Sequence, residues 1–259
     1  MKLSCSSWSH HRAFDAGVFT VSSWIEYCAR TLKLDGVEIE DKHFEDTGSK
    51  TFKNVKQAIA DQGLQLANVT TFNDFGHESE QQNKQELDRV KRWIDHALTL
   101  ASPSLRVFAG WPQGQRQAAW ERMLECLSQA TEYAKGQGIT LVLENHNHGG
   151  FIQTGADTLR VLTTIDSAHL RPLLDTGNYL DGMASIEKVI HLAPHVHAKL
   201  LNLDAAGREI DIDHAKVIDL LAARHYDGFI SVEYEGTEDE QTAVARGVGY
   251  LKGLIAQHA

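Results

Sequence analysis

ITLVLENHNHGG, residues 139–150, is the stretch on which the fold turns. Side chains alternate along a strand, so Thr140, Val142, Glu144 and His146 share one face while Leu141 and Leu143 take the other. Both faces are largely apolar up to Glu144, the mark of a strand covered on both sides, as in a parallel sheet. The residues just before it, Lys135-Gly136-Gln137-Gly138, read as the left-handed cap of a preceding helix. Gly149 and Gly150 then turn the chain into another segment of helix length. The stretch is therefore one strand of a βα unit, with polar groups gathered at its C-terminal end.

The same unit recurs in both directions along the chain. Strands are predicted at Lys2–Ser6, Gly36–Glu40, Gln65–Thr71, Ser104–Ala109, Ile139–Asn145, Leu170–Asp175, Val196–Leu201 and Phe229–Glu235. Each is followed by a segment long enough for a helix. Between the third and fourth strands, Leu87, Val90, Ile94, Ala97, Leu98 and Ala101 recur at three- and four-residue steps and predict a helix face that covers the sheet. Gly63, Gly138 and Gly228 predict left-handed helix ends before the next strand. Eight such units predict an α/β fold, a (β/α)₈ TIM barrel, as a single domain over residues 1–259. An open doubly wound sheet shares the alternation, but no GxGxxG or GxxxxGK[ST] follows any strand.

Composition agrees with one globular unit: 259 residues, 42% apolar and 23% charged, with no proline- or serine-rich linker. A net charge of −10 disfavours nucleic acid and anionic membranes as partners. Cys5, Cys28 and Cys126 are odd in number and far apart, which predicts reduced thiols rather than a disulfide framework. The N-terminus lacks the apolar core of a secretory signal and no run of 18 apolar residues occurs, so the expected location is the cytoplasm.

In a closed barrel, polar residues at the C-terminal ends of strands converge on one mouth. Glu144 ends strand five, Asp175 ends the apolar run of LRPLLDTGNY, His197 lies in APHVHAKLLNLD, and Glu233 lies in GFISVEYEG. They stand 31, 22 and 36 residues apart, one βα unit between each pair. Taken alone, Glu233 reads as a carboxylate paired with an arginine, Asp175 as a helix N-cap and His197 as a satisfied core histidine. At matching ends of four consecutive strands they read as the ligands of one divalent metal ion. Two Glu, one Asp and one His suit Mn²⁺, Mg²⁺, Co²⁺ or Zn²⁺ and lack the thiolates of a structural zinc site. Manganese is the expected ion.

With these residues in view, GVEIE, LENHNHGGF, LLDTGNY, HVHAK and SVEYEG resemble the xylose-isomerase-like TIM-barrel superfamily, in its sugar (phosphate) isomerase/epimerase branch. The resemblance spans essentially the whole chain. It implies the same one-metal set, with the second histidine of His195-Val196-His197 as ligand, and Glu144 and Glu233 as a catalytic acid/base pair. One departure is clear: ketose 3-epimerases carry Asp-x-x-His after strand six, where this chain has Asp175-Thr176-Gly177-Asn178. That asparagine and the acidic balance also set the chain apart from the three-metal DNA-repair nucleases of the superfamily.

The expected activity is a metal-dependent sugar isomerase or epimerase. A proton leaves the carbon beside a polarised carbonyl, an enediolate forms, and the proton returns to the same or the neighbouring carbon. Candidate substrate-binding residues are His146, Lys199, Arg208, Glu38 and Trp111. Lys199 shares a face with His197 and is placed to donate to a developing oxyanion, or to pair with Glu233 or Glu235. The resemblance places Arg208 where a family arginine reaches substrate; a solvated loop arginine is the other reading. Glu38 and Glu40 share the inner face of strand two, and Glu38 reads either as a sugar-hydroxyl partner or as half of a buried pair with a barrel lysine or histidine. Trp8, Trp111, Phe72 and Phe75 follow strands one, four and three and are candidate pocket walls. Two alternatives remain open, a lyase cleaving a 3-keto-glycoside by the same proton abstraction and a non-catalytic sugar or metal binder. A small sugar or keto-sugar is the expected partner, with self-association open.

Overall fold

A computed structural model describes residues 1–258. Its strands are β1 (Lys2–Ser6), β2 (Gly36–Glu40), β3 (Gln65–Thr70), β4 (Ser104–Phe108), β5 (Thr140–Glu144), β6 (Leu170–Asp175), β7 (His195–Leu200) and β8 (Phe229–Tyr234). They follow in sequence order around a closed barrel, the TIM barrel that the eight βα units predict. The helices are α1 (His11–Asp15), α2 (Val21–Arg30), α3 (Ser49–Asp61), α4 (Glu80–Leu100), α5 (Arg116–Gln137), α6 (Gly155–Ile165), α7 (Met183–Val189), α8 (His214–Ala223) and α9 (Glu240–Ala256). Among the described residues, no helix is long and apolar enough to cross a membrane.

The chain groups into two compact units. One joins Met1–Ala67 to the chain from His195 onward, and the other is Asn68–Pro194. In the first, β7, β8, β1 and β2 pair in parallel, with Lys199 opposite Glu233, His197 opposite Ser231 and Ser4 opposite Ser231. The hydroxyls of Ser4 and Ser231 meet at 2.6 Å, so this inner row is joined by hydrogen bonds as well as by the ladder. In the second, β3 to β6 pair in parallel, with Arg106 opposite Val142 and Phe108 opposite Glu144. All five residues of β2 and of β4, and all six of β7, are buried, as strands covered on both faces must be.

Three local expectations change. Several strands begin or end one residue from the predicted bounds, the usual scatter at fraying ladder ends. On α4 the buried face is Leu87, Val90, Trp93, Ile94, Ala97 and Leu100, while Leu98 is 36% exposed. Ala101 is the left-handed C-cap at φ 60° rather than part of the covered face. Leu98 follows Ala97 by one step of 100° and so rotates off the buried stripe. Gly63 and Gly138 take φ of +69° and +76° as predicted, but at the end of α8 the left-handed residue is His225 at φ 55°. Gly228 instead gives room to Tyr226, whose Oη would lie 2.5 Å from an added Cβ. The three cysteines are buried and free.

Candidate functional site

The second unit carries two of the expected ligands at adjacent strand ends. Glu144 closes β5, buried, with Arg106 Nη1 at 3.2 Å from its Oε2. The guanidinium lies over the Phe108 ring, 4.3 Å from the centroid, so its plane is braced from below. Asn178, the residue that departs from the Asp-x-x-His pattern, donates from Nδ2 to Glu144 Oε1 at 3.4 Å. Asp175 closes β6, fully buried, and its Oδ1 accepts the Gly177 N–H at 2.8 Å. It caps no helix, because α7 begins only at Met183. Asn145 clamps the Asp175 backbone from both sides, receiving its N–H at 2.9 Å and donating to its carbonyl at 3.0 Å. The side-chain amide thus adds one more rung to the ladder where the backbone pairing stops, and it fixes where the aspartate points.

Beyond β5, His146 is half-buried and packs edge-on against Phe108 and Trp111 at 5.4 and 5.1 Å. Trp111 donates from Nε1 to the His148 carbonyl at 3.1 Å and stacks on Phe72, which is 56% exposed. Phe75, by contrast, is fully buried and belongs to the core. Gly110 sets this wall in place: its φ of +95° is a glycine conformation, and an added Cβ would strike Asp74 and the Phe75 backbone.

The first unit presents a denser array. Glu38, fully buried on β2, accepts from Nε2 of His195 at 2.7 Å and from Nε2 of His197 at 2.8 Å. Of the two readings of Glu38, the buried pair with barrel histidines is the one these bonds display. Burial works against its charge, yet the neighbouring His197 and His195 hold its carboxyl well below the usual range. His197 Nδ1 lies 3.4 Å from Glu233 Oε1. Lys199 pairs with Glu233 and, at 2.9 Å, with Glu235, whose Oε1 also accepts from Trp8 Nε1 at 2.6 Å. Burial pushes the Glu233 pKa up, but Lys199, with His197 beside it, holds it well below the ordinary value.

Glu144 and Asp175, at adjacent strand ends of the second unit, and His197 and Glu233, on neighbouring strands of the first, are all buried. Three carboxylates and one imidazole, each with another atom already paired or hydrogen-bonded, are a donor set that fits a divalent cation of the Mn²⁺, Mg²⁺ or Zn²⁺ kind. Glu38, His195 and His197 form a close group within the first unit, but its nitrogen–oxygen separations are those of direct hydrogen bonds.

Arg208 sits apart, exposed on an arm between β7 and α8. That arm is a small hairpin. The buried Glu209 carboxylate accepts the N–H groups of Leu201, Asn202 and Asp211 at 2.6, 2.8 and 3.0 Å, and Leu203 bridges to Glu209. Arg106 and Asn145 are site residues that no motif in the sequence marks. A lone arginine two residues before the end of the buried strand SLRVF was the available signal, since a charge on a covered strand needs a partner.

Residues 27–254 match the family described as xylose isomerase-like TIM barrel. The chain belongs to that family. No curated protein matches the sequence. Among solved structures, a 3-keto-D-glucoside 4-epimerase from E. coli is similar at 20% identity and a TM-score of 0.78, covering 98% of this chain and 99% of its own. A D-psicose 3-epimerase from Clostridium cellulolyticum, crystallised with D-tagatose, is similar at 16% identity and 0.79, over 98% and 99%. A probable 3-DHS dehydratase from Bacillus anthracis is similar at 15% identity and 0.79, over 97% and 99%. At these identities the family barrel shares its architecture with all three.

Proposed function

We propose that this xylose isomerase-like barrel is a divalent-metal-dependent sugar isomerase or epimerase. The observation that carries the reading is the donor set itself: buried Glu144 and Asp175 at adjacent strand ends of one unit, and buried His197 and Glu233 on neighbouring strands of the other. These residues would hold the ion, for which manganese is our assignment. Bound there, the ion would draw electron density from the carbonyl of a sugar-type ketone, so that the neighbouring C–H can be removed near neutral pH.

The chain's own groups supply the rest. Glu144 and Glu233 are the acid/base pair, each paired with its own cation, Arg106 for the first and Lys199 for the second. One takes the proton from carbon and the pair returns it, to the same carbon for epimerisation or to its neighbour for isomerisation. Lys199 steadies negative charge on the substrate side of Glu233 and Glu235. His146 and Trp111 offer a ring wall with a polar edge for a sugar face, and Arg208 reaches from its hairpin arm for a substrate oxygen. Glu38 acts from below, through the histidines. A small keto-sugar is the expected substrate, and the acidic charge balance speaks against nucleic acid.

The test is a screen of ketoses, inososes and 3-keto-glycosides with the Mn²⁺-loaded protein in heavy water, with a chelator control. The expected result is chelator-sensitive uptake of one deuteron into a product isomeric with the substrate, and a fall of ~10²–10⁴-fold in kcat for Glu233→Gln. Release of a free aglycone would replace the isomerase by a lyase. Full turnover by Glu233→Gln would remove the mechanism.

A further inference from the structure

Two histidines on one strand, His195 and His197, direct the same ring atom at one carboxylate. Glu38 takes Nε2 of His195 on Oε2 and Nε2 of His197 on Oε1, at 2.7 and 2.8 Å. All three side chains are buried, so water does not compete for these bonds. An ionised carboxylate only accepts, which obliges both rings to carry a hydrogen on Nε2. A neutral histidine with its hydrogen on Nε2 has its lone pair on Nδ1. In His197 that nitrogen is the one facing Glu233 Oε1 at 3.4 Å.

The second ring has a use in this arrangement. With His197 alone, the carboxylate would be free to rotate about its Cγ–Cδ bond. The bond from His195 holds the other oxygen, and His195 Nε2 is itself 3.1 Å from Ser231 Oγ, which meets Ser4 Oγ at 2.6 Å. The single Nε2–H of His195 is thus shared between Glu38 and Ser231 Oγ, which ties the brace to β8 and, through Ser4, to β1.

We propose that Glu38 is a positioning residue that sets the tautomer of His197, presenting Nδ1 as the nitrogen donor of the metal site, with His195 as the brace that fixes the Glu38 carboxylate. This rests on the metal reading above and adds to it which nitrogen binds and what chooses it. Outer partners of a ligating histidine orient the ring and raise its basicity, and their loss commonly weakens metal binding ~10- to 100-fold. A glutamine at position 38 has one accepting oxygen and an NH₂ that only donates, so it cannot serve both Nε2–H groups.

The experiment is ¹⁵N NMR of histidine-labelled full-length protein, first metal-free and then titrated with diamagnetic Zn²⁺, for the wild type, Glu38→Gln, His195→Gln and Asp175→Asn. The expected wild-type spectrum has His197 protonated on Nε2 before metal is added, with Zn²⁺ moving Nδ1. Glu38→Gln should mix the tautomers and weaken Zn²⁺ binding ~10- to 100-fold. His195→Gln should do so more mildly. Asp175→Asn should weaken Zn²⁺ binding yet leave the His197 tautomer unchanged, an outcome that a general loosening of the barrel would not give. His197 protonated on Nδ1 in the metal-free wild type would overturn the proposal. So would an unchanged tautomer and affinity in Glu38→Gln, or a Zn²⁺ ion that moves Nε2 of both histidines, which would make the Glu38 group a metal site of its own. If Zn²⁺ moves no resonance in the wild type, the metal reading falls, while the metal-free tautomers of wild type and Glu38→Gln still decide what Glu38 does.

Discussion

Glu144 and Glu233 are the same residue type at equivalent strand ends, yet the two units treat them differently. Glu144 meets a guanidinium braced on the Phe108 ring and an amide from Asn178. Glu233 meets a lysine shared with Glu235 and, across from it, a histidine that Glu38 already holds. Arginine offers a flat fork of fixed charge, whereas lysine offers a compact ammonium that rotates among its partners. The Glu144 side is therefore the rigid one. The Glu233 side is a string of groups in which each partner is held by the next, so a change at one is passed along.

That contrast can be broken most strongly at the cations. Arg106→Ala takes the guanidinium from a buried carboxylate and should cost about 3–5 kcal/mol of stability in urea unfolding. Adding Glu144→Gln to it should recover a large part, because the charge that lacked its cation goes too. Lys199→Ala should cost less, since the lysine's other partner, Glu235, lies at the exposed edge where water can take over part of the solvation. Equal losses for the two cations, measured side by side, would erase the difference between the units.

A smaller effect separates the first unit's metal-side histidines from a histidine kept for packing. His43 stacks on Phe14 at 4.1 Å, and its Nδ1 accepts from Ser7 Oγ at 2.7 Å, while that hydroxyl accepts the Glu40 N–H at 2.9 Å. Burial, helped by the Lys42 charge, brings its pKa down to about 4. The folded protein thus resists protonation that the unfolded chain accepts from about pH 6.5. The stabilisation is whole above that pH and is lost as pH falls toward 4, on the order of 2 kcal/mol once partial exposure is allowed for. His43→Gln should flatten this part of the curve of urea midpoint against pH. An unchanged slope would show that His43 does not carry it.

The smallest effect is expected at the exposed arm. Arg208→Ala should leave stability within ~0.5 kcal/mol and act on KM if the side chain meets substrate. A change in kcat with KM fixed would move Arg208 from binding to chemistry.

What the sequence could tell followed from periodicity and from where an apolar run stops. Glu144 and Asp175 each end such a run, and the alternation in HVHAK and SVEYEG assigns the faces of His197 and Glu233. Pairings between distant strands left no trace. Glu38 meets His195 across 157 residues, and nothing local in GVEIE distinguishes that bond from a sugar contact. Arg106 could be suspected as a charge on a covered strand, but its partner could not be named. Leu98 misled because it lies one residue from the true stripe of α4, where counting apolar neighbours overstates the width of the face. Asn178 was legible as a departure from a pattern and became informative only when its amide was found on Glu144.

The arm pinned by Glu209 has a consequence for how such a protein changes over generations. Its shape is written almost entirely within residues 201–211, through bonds from one carboxylate to three nearby N–H groups. A segment that folds by its own short-range instructions can be lengthened, shortened or exchanged as a cassette. Under the role proposed for Arg208, the strands keep their chemistry while the arm is rewritten, and substrate preference can change through a handful of mutations in one short stretch of gene.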